Sequence, residues 1–285
     1  MGRYIVCLTF DFDAISSWIA RNLTTPTPIS RGEFAVVGTD RILRLLSKYD
    51  IKSTWFIPGH TVETYFDMCR YIHELGHEIG NHGYTHEPPA SLSREVEEAH
   101  LLRTNEAIQR ITGYRPKGYR SPSWDLSPHT IELLLKNGFI YDSSMMGNDY
   151  MPYYARQGDV ITKYDPVKFG ERTRLIEMPV SWSLDDFPVF EYLRMPNYVQ
   201  PGLRGTADVL QNWIDDFRYM MEITDWGVIT YTFHPEVIGR GHRMLMLERL
   251  IQTLKGLGAV FLRMDEAAEE FMRRVPFKGV GSKDE

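Results

Sequence analysis

The chain has 285 residues, 43% of them hydrophobic, enough for a sizeable core in one large domain or two small ones. Its 32 Lys and Arg against 38 Asp and Glu give a formal net charge of −6, and no basic stripe runs along it. Gripping phosphates needs a positive surface, so nucleic acid is excluded as a partner.

Tyr4-Ile5-Val6-Cys7-Leu8-Thr9-Phe10 reads as a buried strand. It begins almost at Met1 and leaves no room for a secretion signal. No run approaches the roughly 20 apolar residues of a membrane span. A soluble, cytoplasmic protein with no membrane partner is expected. Cys7 fits that strand as a small core residue, and with Cys69 the only other cysteine no disulfide framework is implied.

Residues 40–49 space Ile42, Leu43, Leu45 and Leu46 as a helix behind a Thr39 cap, and 53–57 is strand-like again. The pattern predicts a helix near 62–75, a strand at 78–81, and a long helix over 93–112 closed by Gly113. Strands follow at 118–120 and 139–142 around a helix at 128–137. Further on, strands at 175–180, 227–233 and 259–263 alternate with helices at 207–223 and 242–257. This α/β alternation of seven or eight strands with helices points to a single (β/α) barrel domain over 1–285. Segments 14–37, 144–174 and 185–205 are too long for ordinary connections. In a barrel they follow strands and gather at the catalytic face; subunit contact is another use for them.

Chemistry concentrates at four places. In Phe10-Asp11-Phe12-Asp13 the period of two puts both carboxylates on one face. There they stay ionised together only if a cation or an Arg compensates. One on a metal ion and one beside it make a ligand and a general base, although acidic strand ends are also common without chemistry. His82-Gly83-Tyr84-Thr85-His86 sets two imidazoles four apart, a spacing that reaches one ion from a compact turn. Such N and O donors suit zinc. His77 is expected to pack or support.

Arg120, before Ser121-Pro122-Ser123-Trp124, can pair with the base carboxylate, with Trp124 as an apolar wall. A surface Arg and a core Trp are the plain alternative. His234 ends the apolar run Ile229-Thr230-Tyr231-Thr232-Phe233, where a barrel places catalytic groups and an imidazole can protonate a leaving nitrogen.

In this order the motifs resemble those of the polysaccharide deacetylase family, carbohydrate esterase family four. Thr9-Phe10-Asp11-Phe12-Asp13 is similar to its first motif and His82-Gly83-Tyr84-Thr85-His86 to its H-[S/T]-x-x-H motif. Arg120-Ser121-Pro122-Ser123-Trp124 is similar to R-x-P-x-[W/Y], and Phe233-His234-Pro235 to the last; the match spans residues 4 to 265. The resemblance implies a distorted (β/α) barrel with long loops over its catalytic face. Zinc or a similar divalent ion would lie between Asp13, His82 and His86, with Asp11 as base steadied by Arg120 and His234 as acid, in hydrolysis of an acetamide. Trp124, Trp182, Asp185 and Tyr154 are expected along the substrate, with Trp18, Tyr150 and Tyr153 as further aromatic candidates.

The chain departs from the pattern. Asp-Phe-Asp-Ala stands where adjacent aspartates and a glycine are common, which leaves open which of Asp11 and Asp13 is the ligand. Gly83 replaces Ser or Thr. Tyr141-Asp142-Ser143-Ser144-Met145 lacks the second Asp of the fourth motif, and Asp185 or Asp186 is the candidate to orient His234. With Glu177-Met178-Pro179 and Trp182, these departures are most similar to an intracellular branch of peptidoglycan-deacetylase-like proteins and hydrolases of cyclic imides and allantoin. Its members tend to be homo-oligomers with covered sites. Three functions follow: deacetylation of an N-acetyl sugar or cell-wall fragment, opening of a small cyclic imide or ureide, and noncatalytic sugar binding. Loops closed over the metal favour the second, an elongated aromatic cleft the first.

Overall fold

An unbroken apolar run such as Ile5-Val6-Cys7-Leu8 suits a strand covered on both faces, and in the computed structural model it lies buried in the middle of the sheet. The structure describes residues 2–195 and 197–278; the ends of the expected 1–285 domain lie outside them. The strands are β1 (Arg3–Asp11), β2 (Thr54–Ile57), β3 (Glu78–Asn81), β4 (Gly118–Tyr119), β5 (Tyr141–Asp142), β6 (Tyr153–Gln157), β7 (Glu171–Glu177), β8 (Leu193–Met195), β9 (Tyr198–Gln200), β10 (Trp226–Phe233) and β11 (Val260–Phe261).

An eight-stranded path runs β10-β1-β2-β3-β4-β5-β7-β6, parallel except for β6, and β11 joins Ile5 and Val6 of β1. Irregular chain crosses from the far side to β10: Val228 N donates to Tyr150 O at 2.8 Å, and Asp185 bridges Thr232. The sheet curls into a half-barrel, consistent with the distorted (β/α) barrel that the resemblance implied. β8 and β9 form a separate antiparallel pair.

The helices follow from local chemistry. Arg94–Thr112 begins at Ser93, whose Oγ accepts from Val96 N, and ends at Gly113, whose φ of 81° few other residues tolerate. The apolar faces of the helices at 26–48, 206–223 and 241–256 pack with Phe10, Trp55 and Phe233 in the main core. Both cysteines are buried and free. Among the described residues no helix is long and apolar enough to cross a membrane.

Several expectations need correction. Segment 14–37 is largely helical, as Ser16–Ala20 and the first half of Pro26–Lys48, and Thr39 is a buried mid-helix residue rather than a cap. Pro26 is tolerated because the first helical turn has no use for its missing N–H. Gly38 is demanded by close approach, since a Cβ there would meet Pro235 O at 2.0 Å. Segment 144–174 contains β6, and 185–205 contains Asp186–Phe190 with β8 and β9. Helix Met264–Arg274, boxed at its start by Arg263 and Glu266, had no counterpart in the sequence reading.

Parallel register positions the chemistry. Asp11 ends β1, His82 follows β3, Arg120 follows β4 and His234 follows β10, so all four stand at the carboxyl edge of the sheet.

Candidate metal centre and catalytic cleft

Beyond the end of β1 the chain turns so that Phe12 packs into the core edge-on to Trp55, while Asp11 and Asp13 face the cleft. Asp13 Oδ1 lies 3.4 Å from His82 Nε2, and Asp13 Oδ2 3.0 Å from His86 Nε2. All three side chains are buried, and their donor atoms fall within 4.8 Å of one another. His82 Nδ1 is 2.7 Å from Arg120 O. A carbonyl only accepts, so Nδ1 carries a proton, and in the neutral ring Nε2 then presents a lone pair to the cleft. That Nε2 and Asp13 Oδ1 are both buried without a hydrogen-bond partner among the described residues. Orphaned lone pairs on N and O donors are what a divalent cation satisfies, so these residues fit such an ion. Burial pushes the Asp13 carboxyl up, but His86 and His82 outweigh it and hold the group well below the usual range.

Asp11 is arranged differently. Its Oδ1 accepts from Arg120 Nη1 at 2.7 Å, and its Oδ2 lies 3.8 Å from His82 Nε2. Arg120 is fully buried, with Nη1 also donating to Thr9 Oγ1 and with Nε and Nη2 donating to Ser143 O and Ser143 Oγ. Its guanidinium sits 4.3 Å from the centre of the Phe56 ring. The next residues, Ser144 and Met145, are held by a buried carboxyl pair. Glu177 Oε1 accepts from Ser144 N and Met145 N, and Asp142 Oδ1 from Ser144 Oγ. Burial raises both acids, Asp142 to about 6.

His234 faces Asp13 from the opposite wall, its Nε2 3.9 Å from Asp13 Oδ2. Its Nδ1 lies 2.8 Å from Asp186 Oδ1 and 3.5 Å from Asp185 Oδ1, and its backbone N donates to both Asp186 oxygens. Burial would lower the imidazole, but Asp185 and Asp186 outweigh it and raise the group well above its ordinary value. Asp186 is therefore the nearer partner, while Asp185 Oδ1 caps the next helix at Phe187 N and its own acid is pushed up to about 7 by burial. Asp186 had been only one of two candidates, because adjacent acids before a turn do not show which one points inward.

Trp124 and Trp182 stack at 4.2 Å between centroids, Trp124 nearly buried and Trp182 46% exposed at the mouth. The cleft encloses about 160 Å³. Arg21, Phe187, Pro188 and Gln200, which no sequence motif marks, come into it from segments 14–37 and 185–205. Four non-glycine residues around it, Ala14, His86, Ser123 and Trp124, hold φ between 50° and 62°, a strained conformation that clusters at functional sites.

Tyr154 is not in this cleft. β6 carries it to the far side of β7, where it packs on Phe271 and Phe277 and donates to Val275 O. Segment 144–174 lines a separate groove with Tyr153, so it does not gather at the catalytic edge. Tyr150 bonds to Asp216, and Trp18 lies under Arg31. His77 packs on Trp55 and accepts from Ser53 N, and burial pushes its imidazole down to about 4.

Residues 3–141 match the family model for polysaccharide deacetylase. A peptidoglycan deacetylase of Helicobacter pylori is 39% identical over 96% of this chain and 98% of its own. The solved structure of a Mycobacterium smegmatis protein assigned to the polysaccharide deacetylases has a TM-score of 0.84 at 29% identity, covering 100% of this chain and 95% of that one. An allantoinase structure, 20% identical with a TM-score of 0.77 over 97% of this chain and 93% of its own, shares the fold. A relative this similar across nearly all of both chains, together with the family model's match, shows that the chain belongs to the polysaccharide deacetylase family.

Proposed function

We propose that this protein is a metal-dependent amide hydrolase that deacetylates an N-acetylated sugar of the peptidoglycan type. The carrying observation is the buried Asp13, His82 and His86 set with two orphaned lone pairs, flanked by Asp11 paired to Arg120 and faced by His234 on Asp186. The name of the relative from Helicobacter pylori supports the substrate class.

Asp13, His82 and His86 would hold a divalent ion, zinc being the first choice for two imidazoles and a carboxylate. When bound, such an ion polarises an amide carbonyl and makes water more acidic. Asp11 accepts a proton from the attacking water, and the hydrogen bond from Arg120 orients its carboxylate. As the C–N bond breaks, His234 Nε2 delivers a proton to the departing nitrogen, while Asp186 at Nδ1 stabilises the imidazolium. Water is consumed and acetate and a free amine leave. Trp124 and Trp182 offer an aromatic wall for a sugar face.

Acetate release from N-acetylated peptidoglycan fragments by zinc-loaded protein tests the proposal, with Asp11→Asn as the inactive control. A second reading, opening of a small cyclic imide or ureide with the same groups, draws on the cleft of about 160 Å³ covered by two inserted segments. A noncatalytic sugar-binding barrel is disfavoured because base, acid and ligand set all stand together. Residues 1–285 are read as one catalytic domain. Exposed Ile161, Tyr164 and Phe169 on the connection between β6 and β7 support homo-oligomers, and the free thiols of Cys7 and Cys69 fit a cytoplasmic setting.

A further inference from the structure

Arg21 is the cation of the cleft that the hydrolysis above leaves without work. It follows the short helix Ser16–Ala20 in the segment after β1 and lines the same cavity as Asp13, His86, Phe187 and Gln200. Its guanidinium stands 5.7 Å from the centre of the Phe187 ring. Among the described residues it makes one hydrogen bond, Nη1 to Ser17 O at 2.6 Å, and no ion pair. Arg120, in contrast, donates four.

The acids of the cleft are each engaged elsewhere. Asp11 is held by Arg120, Asp13 faces His82 and His86, and Asp185 and Asp186 face His234. A half-buried guanidinium loses hydration, and although Asp13 and Glu236 lie near enough to attract it, neither pairs with it directly; its planar fork suits a carboxylate that donates nothing and accepts twice. Phe187 limits the directions in which that fork can point.

We propose that Arg21 binds a carboxylate of the substrate, so that the preferred substrate is an N-acetylated amino sugar carrying a carboxylate close to its acetamide. This rests on the deacetylase reading of the site. A neutral N-acetylglucosamine polymer would leave the fork unpaired.

The test compares the disaccharide of N-acetylglucosamine and N-acetylmuramic acid with di-N-acetylchitobiose, which lacks the lactyl carboxylate. Titration calorimetry in an Asp11→Asn background measures binding without turnover. The charged disaccharide should bind about tenfold more tightly, the range expected for a hydrogen bond to a charged group. Arg21→Gln should abolish that preference while changing chitobiose affinity less than about twofold, and Arg21→Lys should restore part of it. Absence of a preference, failure to bind either sugar, survival of the preference in Arg21→Gln, or equal loss of both ligands would overturn the proposal. Acetate release by wild-type protein is read separately. A preference that depends on Arg21 without acetate release rejects the deacetylase reading alone, and acetate release without a preference rejects the role of Arg21 alone.

Discussion

Arg120→Met strips the guanidinium from its pair with Asp11 while keeping an apolar stem of similar length. The wild-type pair is 2.7 Å long, with side-chain exposures of 0% and 2%. Removing one partner of such a buried pair costs about 3–5 kcal/mol, because the other charge is left uncompensated. Ser143 O, Ser143 Oγ and Thr9 Oγ1 also lose their donor. We expect a loss of about 4 kcal/mol from a fold whose total stability is on the order of 5–15 kcal/mol. In an Asp11→Asn background no carboxylate is stranded, so the same change should cost about 2 kcal/mol, a coupling of about 2 kcal/mol. Urea denaturation of the four proteins in chelator, followed by Trp fluorescence at pH 7, measures this cycle. A coupling below about 0.5 kcal/mol, the usual scatter of independent sites, would refute charge pairing as what holds Arg120 beneath the cleft.

Other outcomes are equally specific. His82→Ala and His86→Ala should each lose the metal on dialysis, measured by plasma emission, and unchanged metal content would reject them as ligands. Asp11→Asn should keep metal and lose turnover while Asp13→Asn loses both; swapped phenotypes would reverse the two aspartates. His77 titrates near 4 in the fold against an ordinary 6.5, so the native imidazole stays neutral where the unfolded one takes a proton. Its contribution is whole above pH 6.5 and is lost as pH falls towards 4. That is about 2–3 kcal/mol between neutrality and pH 4.5, and His77→Gln should remove this dependence in urea titrations. A stability difference between wild type and variant that is equal at both pH values would reject the assignment. Glu177→Gln keeps an acceptor for Ser144 N and Met145 N and puts a neutral amide where burial and Asp142 already raise the acid well above its ordinary value. Thermal stability should be unchanged or higher, and a loss above about 2 kcal/mol would show that the pair needs a second carboxyl group rather than a neutral amide.

Much of the fold was readable because its signals are local. Ser93 and Gly113 bracket their helix by capping chemistry alone, and the apolar run of β1 announces a strand covered on both faces. The first half of Pro26–Lys48 was not readable, since Pro26, Pro28 and Gly32 imitate a loop. Gly38 is explained only by Pro235, which lies far along the chain. Asp11, Asp13, His82, His86, Arg120, Trp124 and His234 could be picked out because each follows or ends a recognisable strand. Asp186 could be named only as one of two candidates and Arg21 not at all, because their inward direction depends on short helices within inserted segments. Tyr154 was misplaced because β6 pairs with the charged strand Glu171–Glu177, whose polar start gives no sign of a partner.

These groups together are proposed to remove an acetyl group from nitrogen on a sugar. Mass spectrometry of products tests this proposal most directly, with zinc-loaded protein incubated in parallel with N-acetylated peptidoglycan fragments and with succinimide and allantoin. The glycan should lose acetyl groups, acetate should appear, and both rings should stay closed. A ring product one water heavier than its substrate, with the glycan unchanged, would contradict the proposal and leave the same cleft as that of a cyclic-amide hydrolase.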